Sequence, residues 1–172
     1  MVKMEAIDSI LTRRSIRKFT SKPVPEDLIK KLLQCAMSAP SAGNERPWHF
    51  IVIKERGILD EVPKVSPYAA MAREASVAIV ICCDINLDTH NGYWVQDCSA
   101  AVQNILIAAH ALGLGAVWTG LYPKEDRVKG IQKLLGLPSH VMPLALVPIG
   151  YPAEKKEKED RFDNNRVHYD HW

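Results

Sequence analysis

An apolar segment from about residue 93 to residue 112 limits what this chain can fold into more than any other feature. Its apolar side chains recur at helical spacing and form one broad face, made of Val95, Cys98, Ala101, Val102, Ile105, Leu106, Ala109 and Leu112. Further alanines lie beside that face, so the predicted helix needs cover on nearly all sides. In a chain of 172 residues, either the helix runs through the core or a second subunit covers it. Gly113 and Gly115 mark its end.

The other segments predict a mixture of helices and strands. The apolar spacing after Pro25 predicts a helix over about residues 25–38. The run Val77–Cys83 predicts a strand that is buried on both faces. We also expect a short first helix with Ile7, Ile10, Leu11 and Arg14 on one face, strands at Trp48–Ile53 and Val141–Ile149, a short strand or loop at Ala116–Thr119, and a helix from Pro123 that ends before Gly136 and Pro138. Residues 54–74 are expected to be irregular with short helical stretches.

The length predicts one domain over residues 1–172, with residues 153–172 as a C-terminal arm. The arm is rich in charges and almost free of aliphatic residues, so it cannot form a core. It nevertheless ends in aromatic residues such as Tyr169 and Trp172. We therefore expect it to lie extended on this subunit or on a partner.

Charge and hydropathy exclude several classes of protein. The formal net charge is only +2, which argues against a nucleic-acid binder. The sequence has no run of about 18 apolar residues, and its start lacks the apolar core of a signal peptide. We therefore expect a soluble, cytoplasmic protein that does not enter a membrane.

The cysteines and the terminal histidines indicate no metal. Cys82 and Cys83 lie inside a predicted strand, so buried, reduced thiols are the expected state, with a vicinal redox pair as the alternative. His168 and His171 lie on the arm without an evident third ligand. We expect no metal site.

A basic cluster at residues 13–19 is the first candidate binding site. Its sequence is Arg-Arg-Ser-Ile-Arg-Lys-Phe, and the first 31 residues contain eight basic and four acidic residues. An arginine side chain can bind a phosphate through two parallel hydrogen bonds, and a serine hydroxyl can add a third. The alternative is a solvated basic turn.

The loop at residues 39–50 is the second candidate. Small residues between a predicted helix and a predicted strand, Ala39 to Asn44, let the backbone approach a flat ligand closely. An ordinary loop, with Trp48 and Phe50 packed in the core, is the alternative.

Taken in order, these motifs resemble the nitroreductase family of FMN-dependent oxidoreductases. The resemblance rests on R-R-S-I-R-K-F, A-P-S-A-G-N-x-x-P-W-H-F, a long alanine-rich helix ending in G-L-G, T-G-L-Y-P, L-L-G-L-P, P-I-G-Y-P and D-N-N-R-V-H-Y-D-H-W. The ordered set spans nearly all of residues 4–172. The resemblance implies an α+β fold in which helices flank a central, mainly antiparallel sheet. It also implies an intertwined homodimer that holds FMN at the subunit interface.

The family's cofactor contacts carry over to matching positions of this sequence. Arg13 and Ser15 are implied to reach the FMN phosphate and ribityl chain, and Arg14 contributes there. Arg17 is implied to lie by the pyrimidine edge of the isoalloxazine, where a cation stabilises the negative charge of the reduced flavin.

Further cofactor contacts come from other segments. Pro40, Ser41 and Asn44 of the other subunit are implied to line the flavin. The Thr119–Gly120 backbone is implied to lie near N5 and to donate a hydrogen bond to it. Arg166 matches a basic residue that contacts the phosphate, with Asn164 as a weaker match.

The sequence also departs from the family. At 172 residues it is too short for the helical insertion that covers the active site of larger members. The family often places an asparagine and a lysine against the flavin in the middle of the chain. The equivalent stretch here, residues 66–71, reads Ser-Pro-Tyr-Ala-Ala-Met. Tyr68 is therefore expected to form part of the substrate wall.

The resemblance implies a ping-pong flavoenzyme. NADH or NADPH gives hydride to flavin N5, and a nitroaromatic, a quinone or a similar flat acceptor then takes the electrons. No protein nucleophile is needed, and Arg17 acts as an electrostatic stabiliser. Two alternatives stay open: a specialised enoate, dehalogenating or flavin-fragmenting reaction, and a flavin-binding interaction module with little turnover. The sequence does not choose between NADH and NADPH.

Overall fold

A five-stranded antiparallel sheet forms the centre of the protein. The structure is a computed structural model and describes residues 4–172. The strands are β1 (Trp48–Ile53), β2 (Val77–Asp84), β3 (Gly115–Ala116), β4 (Thr119–Gly120) and β5 (Val141–Gly150). Their order is β1-β2-β5-β3, and β4 pairs with another part of β5. In the register, Phe50 faces Ile81, and Ile81 faces Ala145 on the other side.

Helices cover both faces of this sheet. They are α1 (Ala6–Thr12), α2 (Glu26–Met37), α3 (Arg56–Val65), α4 (Trp94–Ala111) and α5 (Glu125–Leu135). Short 3-10 helices occur at Ala42–Asn44, Pro67–Arg73, Ile85–Leu87 and Asn164–Arg166. One apolar core joins α2 and α4 to the sheet, and a second core joins α3 and α5 to the opposite face. The predicted α+β class with an antiparallel sheet is confirmed.

β2 shows why an antiparallel strand can be apolar along its whole length. Val77, Ile79, Ile81 and Cys83 contribute to the core with α2 and α4. The alternate residues Ala78, Val80 and Cys82 contribute to the core with α3 and α5. Side chains alternate between the two faces of a strand, so both sets are buried. The prediction of a strand buried on both faces is confirmed.

α4 runs between the sheet and α2 and buries eight residues, which include Cys98, Ile105 and Ala109. Its cover within the protomer is incomplete. Ile107, Ala108 and Ala111 line an open depression of about 570 Å³ together with residues of α1 and α2. Burial in the core of one protomer therefore explains most of the apolar surface of α4, but it does not explain the open strip at Ile107, Ala108 and Ala111.

Three local predictions were wrong. Residues 54–74 contain the regular helix α3, whose pattern was obscured by Gly57 and by Pro63. Pro63 lies inside this helix and lacks the N–H that would donate to the carbonyl oxygen of Leu59. α1 ends before Arg14 and buries Ser9, while Ile7 is 67% exposed. α5 begins at Glu125, because Pro123 belongs to the preceding turn.

The C-terminal arm, residues 153–172, begins along the basic N-terminal cluster. Phe19 pairs with Pro152 as an isolated bridge, and the backbone N–H of Ala153 donates to Lys18 O at 2.9 Å. Ile16 N–H donates to Ala116 O at 3.0 Å, which connects the cluster to β3. The end of the arm is exposed, including its aromatic residues Phe162, Tyr169 and Trp172.

Candidate functional site

Three arginines come together where the arm crosses the N-terminal cluster. Arg13, Arg14 and Arg161 line one depression of about 680 Å³ between the end of α1 and the arm. Burial and the positive charges of Arg161 and Arg14 lower the pKa of Arg13 below its usual value. Arg14 is fixed by hydrogen bonds to the carbonyl oxygens of Glu157 and Glu159, at 3.1 and 3.3 Å.

Two of the three guanidinium groups lack an ion-pair partner among the described residues, although the carboxylates of Glu159 and Asp160 line the same depression. In the part of the chain that the structure describes, neither Arg13 nor Arg14 forms an ion pair with a carboxylate, while Arg161 pairs with Glu159 at 2.6 Å. Grouped arginines repel one another, and a bound anion removes that repulsion. The cluster is therefore suited to a phosphate group.

His110, in the last turn of α4, lies beside this cluster. Its Nε2 is 2.8 Å from Thr12 Oγ1. Burial, followed by the charges of Arg13 and Arg14, lowers its pKa. The neutral form of His110 is thus favoured, which limits the positive charge to the arginines.

Ser15 and Arg17 lie on the extended segment after α1. Ser15 is partly buried, and its carbonyl oxygen accepts a hydrogen bond from Lys156 Nζ at 2.8 Å. The carboxylate of Glu154 accepts hydrogen bonds from the backbone N–H groups of Arg17 and Lys18. The bond from Arg17 is the main cause of a lowered pKa at Glu154. The Arg17 side chain stays exposed.

Gly115 explains the close fit between this segment and β3. A Cβ atom at Gly115 would lie 2.6 Å from Cγ2 of Ile16. A side chain there would displace Ile16 and, with it, the segment that carries Ser15 and Arg17. Gly115, the second glycine of the G-L-G motif, therefore allows the segment that carries Ser15 and Arg17 to pack against β3.

The loop after α2 carries Pro40, Ser41 and Asn44. Ser41 Oγ accepts a hydrogen bond from the backbone N–H of Arg46 at 3.0 Å. Gly43 and Asn44 both have a left-handed backbone, with φ of 51° and 58°. Pro40 and Asn44 are exposed, and Ser41 is partly buried. The loop thus offers a surface of small groups on a tightly folded backbone.

Two acidic side chains lie beneath this loop. Asp97 Oδ1 accepts a hydrogen bond from the backbone N–H of Ala42 at 3.0 Å. Glu45 Oε2 accepts hydrogen bonds from Thr89 and lies 2.8 Å from His90 Nδ1. Burial raises the pKa of Glu45, but the hydrogen bonds from His90 and Thr89 outweigh it and lower the value to about 2. Burial raises the pKa of Asp97, and the charge of Glu45 raises it further.

Thr119, Gly120 and Tyr68 form a third group, which Arg127 connects. Thr119 is buried, and its hydroxyl donates to Leu146 O. Arg127 Nη1 donates to Gly120 O at 3.1 Å, and the guanidinium lies over the Tyr68 ring. Tyr68 is 72% exposed, so its ring is available to a ligand.

Arg166 and Asn164 lie on the exposed arm. Arg166 Nε donates to Asp163 Oδ2 at 3.1 Å. Neither residue forms a hydrogen bond with the cluster of Arg13 and Arg14 within residues 4–172. Likewise, no hydrogen bond of the described residues joins the loop at Ser41–Asn44 to that cluster. The assignments of these residues stay predictions.

The structure adds residues that the sequence did not reveal. Arg161 is one of several charges in the arm, and Arg127 is one of several on α5, so neither stands out in the sequence. Asp97 carried a usable signal, because it is an acidic residue within a helix that is otherwise apolar.

Residues 4–172 include no helix long and apolar enough to cross a membrane. They also include no group of three or more histidine, cysteine or acidic residues placed to hold a metal ion. Cys82 and Cys83 are buried, and burial raises the pKa of each thiol to about 12. The two thiols are therefore unreactive, in agreement with the prediction of buried, reduced cysteines.

This fold is that of a class of flavin-dependent oxidoreductases. The model of the nitroreductase family matches residues 10–70 and 60–151. The chain belongs to the nitroreductase family, and the resemblance noted in the sequence is confirmed.

Individual relatives agree with this membership. A protein of Methanothermobacter thermautotrophicus, provisionally named NADH dehydrogenase/NAD(P)H nitroreductase, is 56% identical over 170 residues, 99% of this chain and 89% of that protein. A crystal structure from Clostridium acetobutylicum, provisionally named an NADH oxidase, is 42% identical with a TM-score of 0.94, over 96% of this chain and 100% of that one. A provisionally named nitroreductase from Desulfovibrio desulfuricans, in complex with FMN, is 29% identical with a TM-score of 0.86, over 99% of each chain.

Proposed function

We propose that this protein is an FMN-dependent oxidoreductase that uses NADH or NADPH to reduce flat acceptors such as quinones and nitroaromatic compounds. The observation that carries the proposal is the convergence of Arg13, Arg14 and Arg161 without carboxylate partners for the first two. A member of this family that presents such a cluster has a binding site for the phosphate of a flavin nucleotide.

The residues present fit FMN in other respects. Ser15 lies next to the arginines and offers a hydroxyl for the phosphate or the ribityl chain. The Gly115 position keeps the Ser15–Arg17 segment against β3. The small residues at Ser41–Asn44 leave room for a flat ring. Arg166 on the arm is a further candidate for the phosphate, with Asn164 beside it.

The chemistry that bound FMN would supply is hydride transfer from NADH or NADPH at N5 and transfer of the electrons to a second acceptor, in a ping-pong cycle. The chain's own part is to bind and orient. The exposed guanidinium of Arg17 supplies positive charge for the reduced cofactor. The backbone at Thr119–Gly120, fixed by the bond from Arg127 to Gly120 O, holds an N–H donor in place for N5. No side chain is needed as a nucleophile.

We propose that the binding site is completed by a second copy of the chain in a homodimer. Ile7, Ile10 and Leu11 expose apolar surface on α1, and α4 leaves an apolar strip open beside it. Phe162, Tyr169 and Trp172 are exposed on the arm. Exposed apolar groups of this extent are typical of a subunit interface. In this dimer, Pro40, Ser41 and Asn44 of one copy face the flavin held by the arginines of the other.

The acceptor is placed against Tyr68. Its exposed ring offers a flat apolar surface, and no longer insertion covers it in this short chain. A quinone or nitroaromatic ring can stack on such a surface. This openness supports a broad range of flat acceptors.

A direct experiment tests this function. The full chain is purified, its visible spectrum is recorded with and without added FMN, and NADH or NADPH oxidation is followed with menadione. We expect a yellow dimer with an oxidised-flavin spectrum and steady turnover. A colourless protein that binds no added FMN would contradict the proposal, and a yellow protein without turnover would identify a flavin-binding module instead.

A further inference from the structure

Two buried acidic side chains face each other under the loop at Ser41–Asn44. Asp97 is only 5% exposed, and the side chain of Glu45 is only 4% exposed. Hydrogen bonding between the two carboxyl groups is one of the causes that raise the pKa of Asp97. Each also binds a different part of the structure: Asp97 Oδ1 accepts from Ala42 N–H at 3.0 Å, and Glu45 Oε2 accepts from Thr89 N–H at 2.9 Å.

The second oxygen of each carboxyl group has no donor. Among residues 4–172, nothing donates a hydrogen bond to Asp97 Oδ2 or to Glu45 Oε1, and both atoms are shielded from solvent. Two ionised carboxylates in this position would repel each other, and each would keep a buried acceptor without a partner. A single proton between them removes the repulsion and satisfies both oxygens.

We propose that Asp97 and Glu45 share one proton, carried on Asp97 Oδ2 and donated to Glu45 Oε1, and that this pair positions the Ser41–Asn44 loop for flavin binding. Asp97 and Glu45 are thus positioning residues and do not touch the cofactor. The flavin part of this inference rests on the proposed function. The proton part does not depend on that function and rests on the burial of the two carboxyl groups and on their unpartnered oxygens.

The surroundings favour the proton on Asp97. His90 and Thr89 together donate hydrogen bonds to Glu45, and these stabilise its ionised form. Within the described part of the chain, Asp97 accepts a single hydrogen bond, from Ala42 N–H. The other titratable groups that affect Asp97 or its surroundings are Asp88, from the turn before α4, Cys83 of β2 and the neighbouring Cys98. None of these is a cation that would favour an ionised Asp97.

Asp97 and Glu45 hold the loop on either side of its two left-handed residues: Asp97 binds Ala42 N–H, and Glu45 is itself part of the loop. Ala42 and Glu45 stand on either side of Gly43 and Asn44, whose backbone is left-handed. A Cβ atom at Gly43 would lie 2.2 Å from Cε1 of His90. His90 therefore packs directly on the loop and bonds to Glu45 at the same time. Loss of the carboxyl group of Asp97 or of Glu45 would therefore release Gly43 and Asn44 from their left-handed backbone conformation.

The proposal predicts a particular pattern for amide substitutions. In Asp97→Asn, the amide NH₂ takes the place of the shared proton and donates to Glu45. In Glu45→Gln, the NH₂ donates to an ionised Asp97, while the amide oxygen still accepts from Thr89. In the double variant, the two NH₂ groups face each other, so a donor meets a donor. If either amide flips, its NH₂ group instead faces the backbone N–H of Ala42 or of Thr89, which is again a donor facing a donor.

The experiment measures the folding equilibrium constant of the full chain by urea unfolding at pH 7, with and without a constant excess of FMN, because weaker FMN binding by itself lowers the apparent constant when FMN is present. We expect each single amide variant to stay within about threefold of the wild type. The double variant should fall about tenfold to a hundredfold below the value expected from the two singles, since a buried polar group is left unsatisfied. Asp126→Asn, which removes an exposed first-turn carboxylate from α5, is the matched control and should stay within about threefold of the wild type.

A pH series separates the shared proton from simple packing. Because folding raises the pKa of Asp97 above its ordinary 3.8, its contribution is fully present below the unfolded-state pKa and is lost as the pH rises from that value to the folded pKa. Between these two pKa values the wild-type folding constant should fall by up to about tenfold per pH unit relative to Asp97→Asn, and above the folded pKa it should level off. The amide of that variant cannot ionise, so the variant should lack this alkaline loss.

Flavin affinity tests the positioning role. FMN dissociation constants should stay within about threefold of wild type in the single amide variants and weaken about tenfold in Asp97→Ala and in the double variant. A double variant as stable as the singles, or an Asp97→Asn chain that fails to fold, would overturn the shared proton. A destabilised double variant with unchanged FMN affinity would overturn the positioning role. If the wild type binds no FMN, the proposed function fails while the unfolding data still decide the proton.

Discussion

The guanidinium carbon of Arg127 lies 5.0 Å from the centroid of the Tyr68 ring. The same guanidinium donates to Gly120 O at 3.1 Å, so one side chain joins the proposed acceptor surface to the backbone proposed to meet flavin N5. Arg127 forms no ion pair among residues 4–172. Its contacts at this site are therefore with a ring and a carbonyl group.

Substitution of Arg127 should impair acceptor use more than flavin binding. Arg127→Met removes the cation from the Tyr68 ring and the hydrogen bond to Gly120, a loss of about 1 kcal/mol. We expect kcat/KM for menadione to fall about fivefold, with little change in FMN affinity. Steady-state kinetics with NADH in excess measures this. Lys129→Met, two residues along the same helix, is the control, and an equal loss there would refute a specific role for Arg127.

Removal of a guanidinium from the arginine cluster should weaken FMN binding. Charge-assisted hydrogen bonds contribute about 1.5–3 kcal/mol each, so Arg13→Ala should raise the FMN dissociation constant about tenfold or more. Arg161→Ala should act in the same direction, although no sequence motif identified that residue. Flavin fluorescence titration measures both. Lys30→Ala on the exposed side of α2 should have no effect, and unchanged affinity in Arg13→Ala would exclude the cluster as the phosphate site.

The side chain of Arg17 should set the reduction potential of the bound flavin. Without it, the negative charge of the reduced cofactor loses a nearby cation. About 1 kcal/mol of lost stabilisation lowers a two-electron potential by about 20 mV. Arg17→Ala should therefore show a more negative potential in a spectroelectrochemical titration. Lys18→Ala serves as the control, and an unchanged potential in Arg17→Ala would remove Arg17 from this role.

Glu154 should connect the arm to the basic cluster in a pH-dependent way. Its carboxylate accepts from the backbone N–H groups of Arg17 and Lys18, and its folded pKa lies below the ordinary 4.5. Glu154→Gln should lower the free energy of unfolding by about 1 kcal/mol at pH 7. The difference should shrink as the pH falls below 4.5, because the wild-type carboxylate then becomes protonated and loses the same interaction. Urea unfolding at both pH values tests this, with Glu157→Gln as an exposed control.

The elements that could be predicted from the sequence are those whose buried apolar residues recur at regular spacing. α2, α4 and β2 were predicted correctly, since their apolar residues follow the spacing of a helix or form an unbroken run that suits a strand with both faces buried. The prediction of the apolar face of α1 was wrong, because Ile7, Ile10 and Leu11 have the spacing of a buried face but lie exposed on the protomer. α3 was missed because Gly57 and Pro63 are poor helix formers, while the burial of Leu59 and Val62 outweighs them.

The candidate site was predictable only where residues lie close in the sequence. Arg13, Arg14, Ser15 and Arg17 form a visible motif, and so does the loop at Ser41–Asn44. Arg161 reaches Arg13 only because the arm folds back on the cluster. Asp97 and Glu45 meet only when α4 packs beneath the loop. Contacts of this kind depend on tertiary structure, and a single sequence carries no pattern for them.

Co-expression of two complementary variants tests the composite site most directly. Arg13→Ala damages the phosphate side, and Asn44→Asp places a carboxylate on the flavin side in a residue type that tolerates the left-handed backbone. At an FMN concentration near the wild-type dissociation constant, each homodimer should lose most of its flavin-dependent NADH oxidation. A mixed dimer has one undamaged site, so random assembly should restore about a quarter of the wild-type activity and bound flavin. No recovery in mixed dimers, although they are shown to form, would contradict a site built jointly by two copies of the chain.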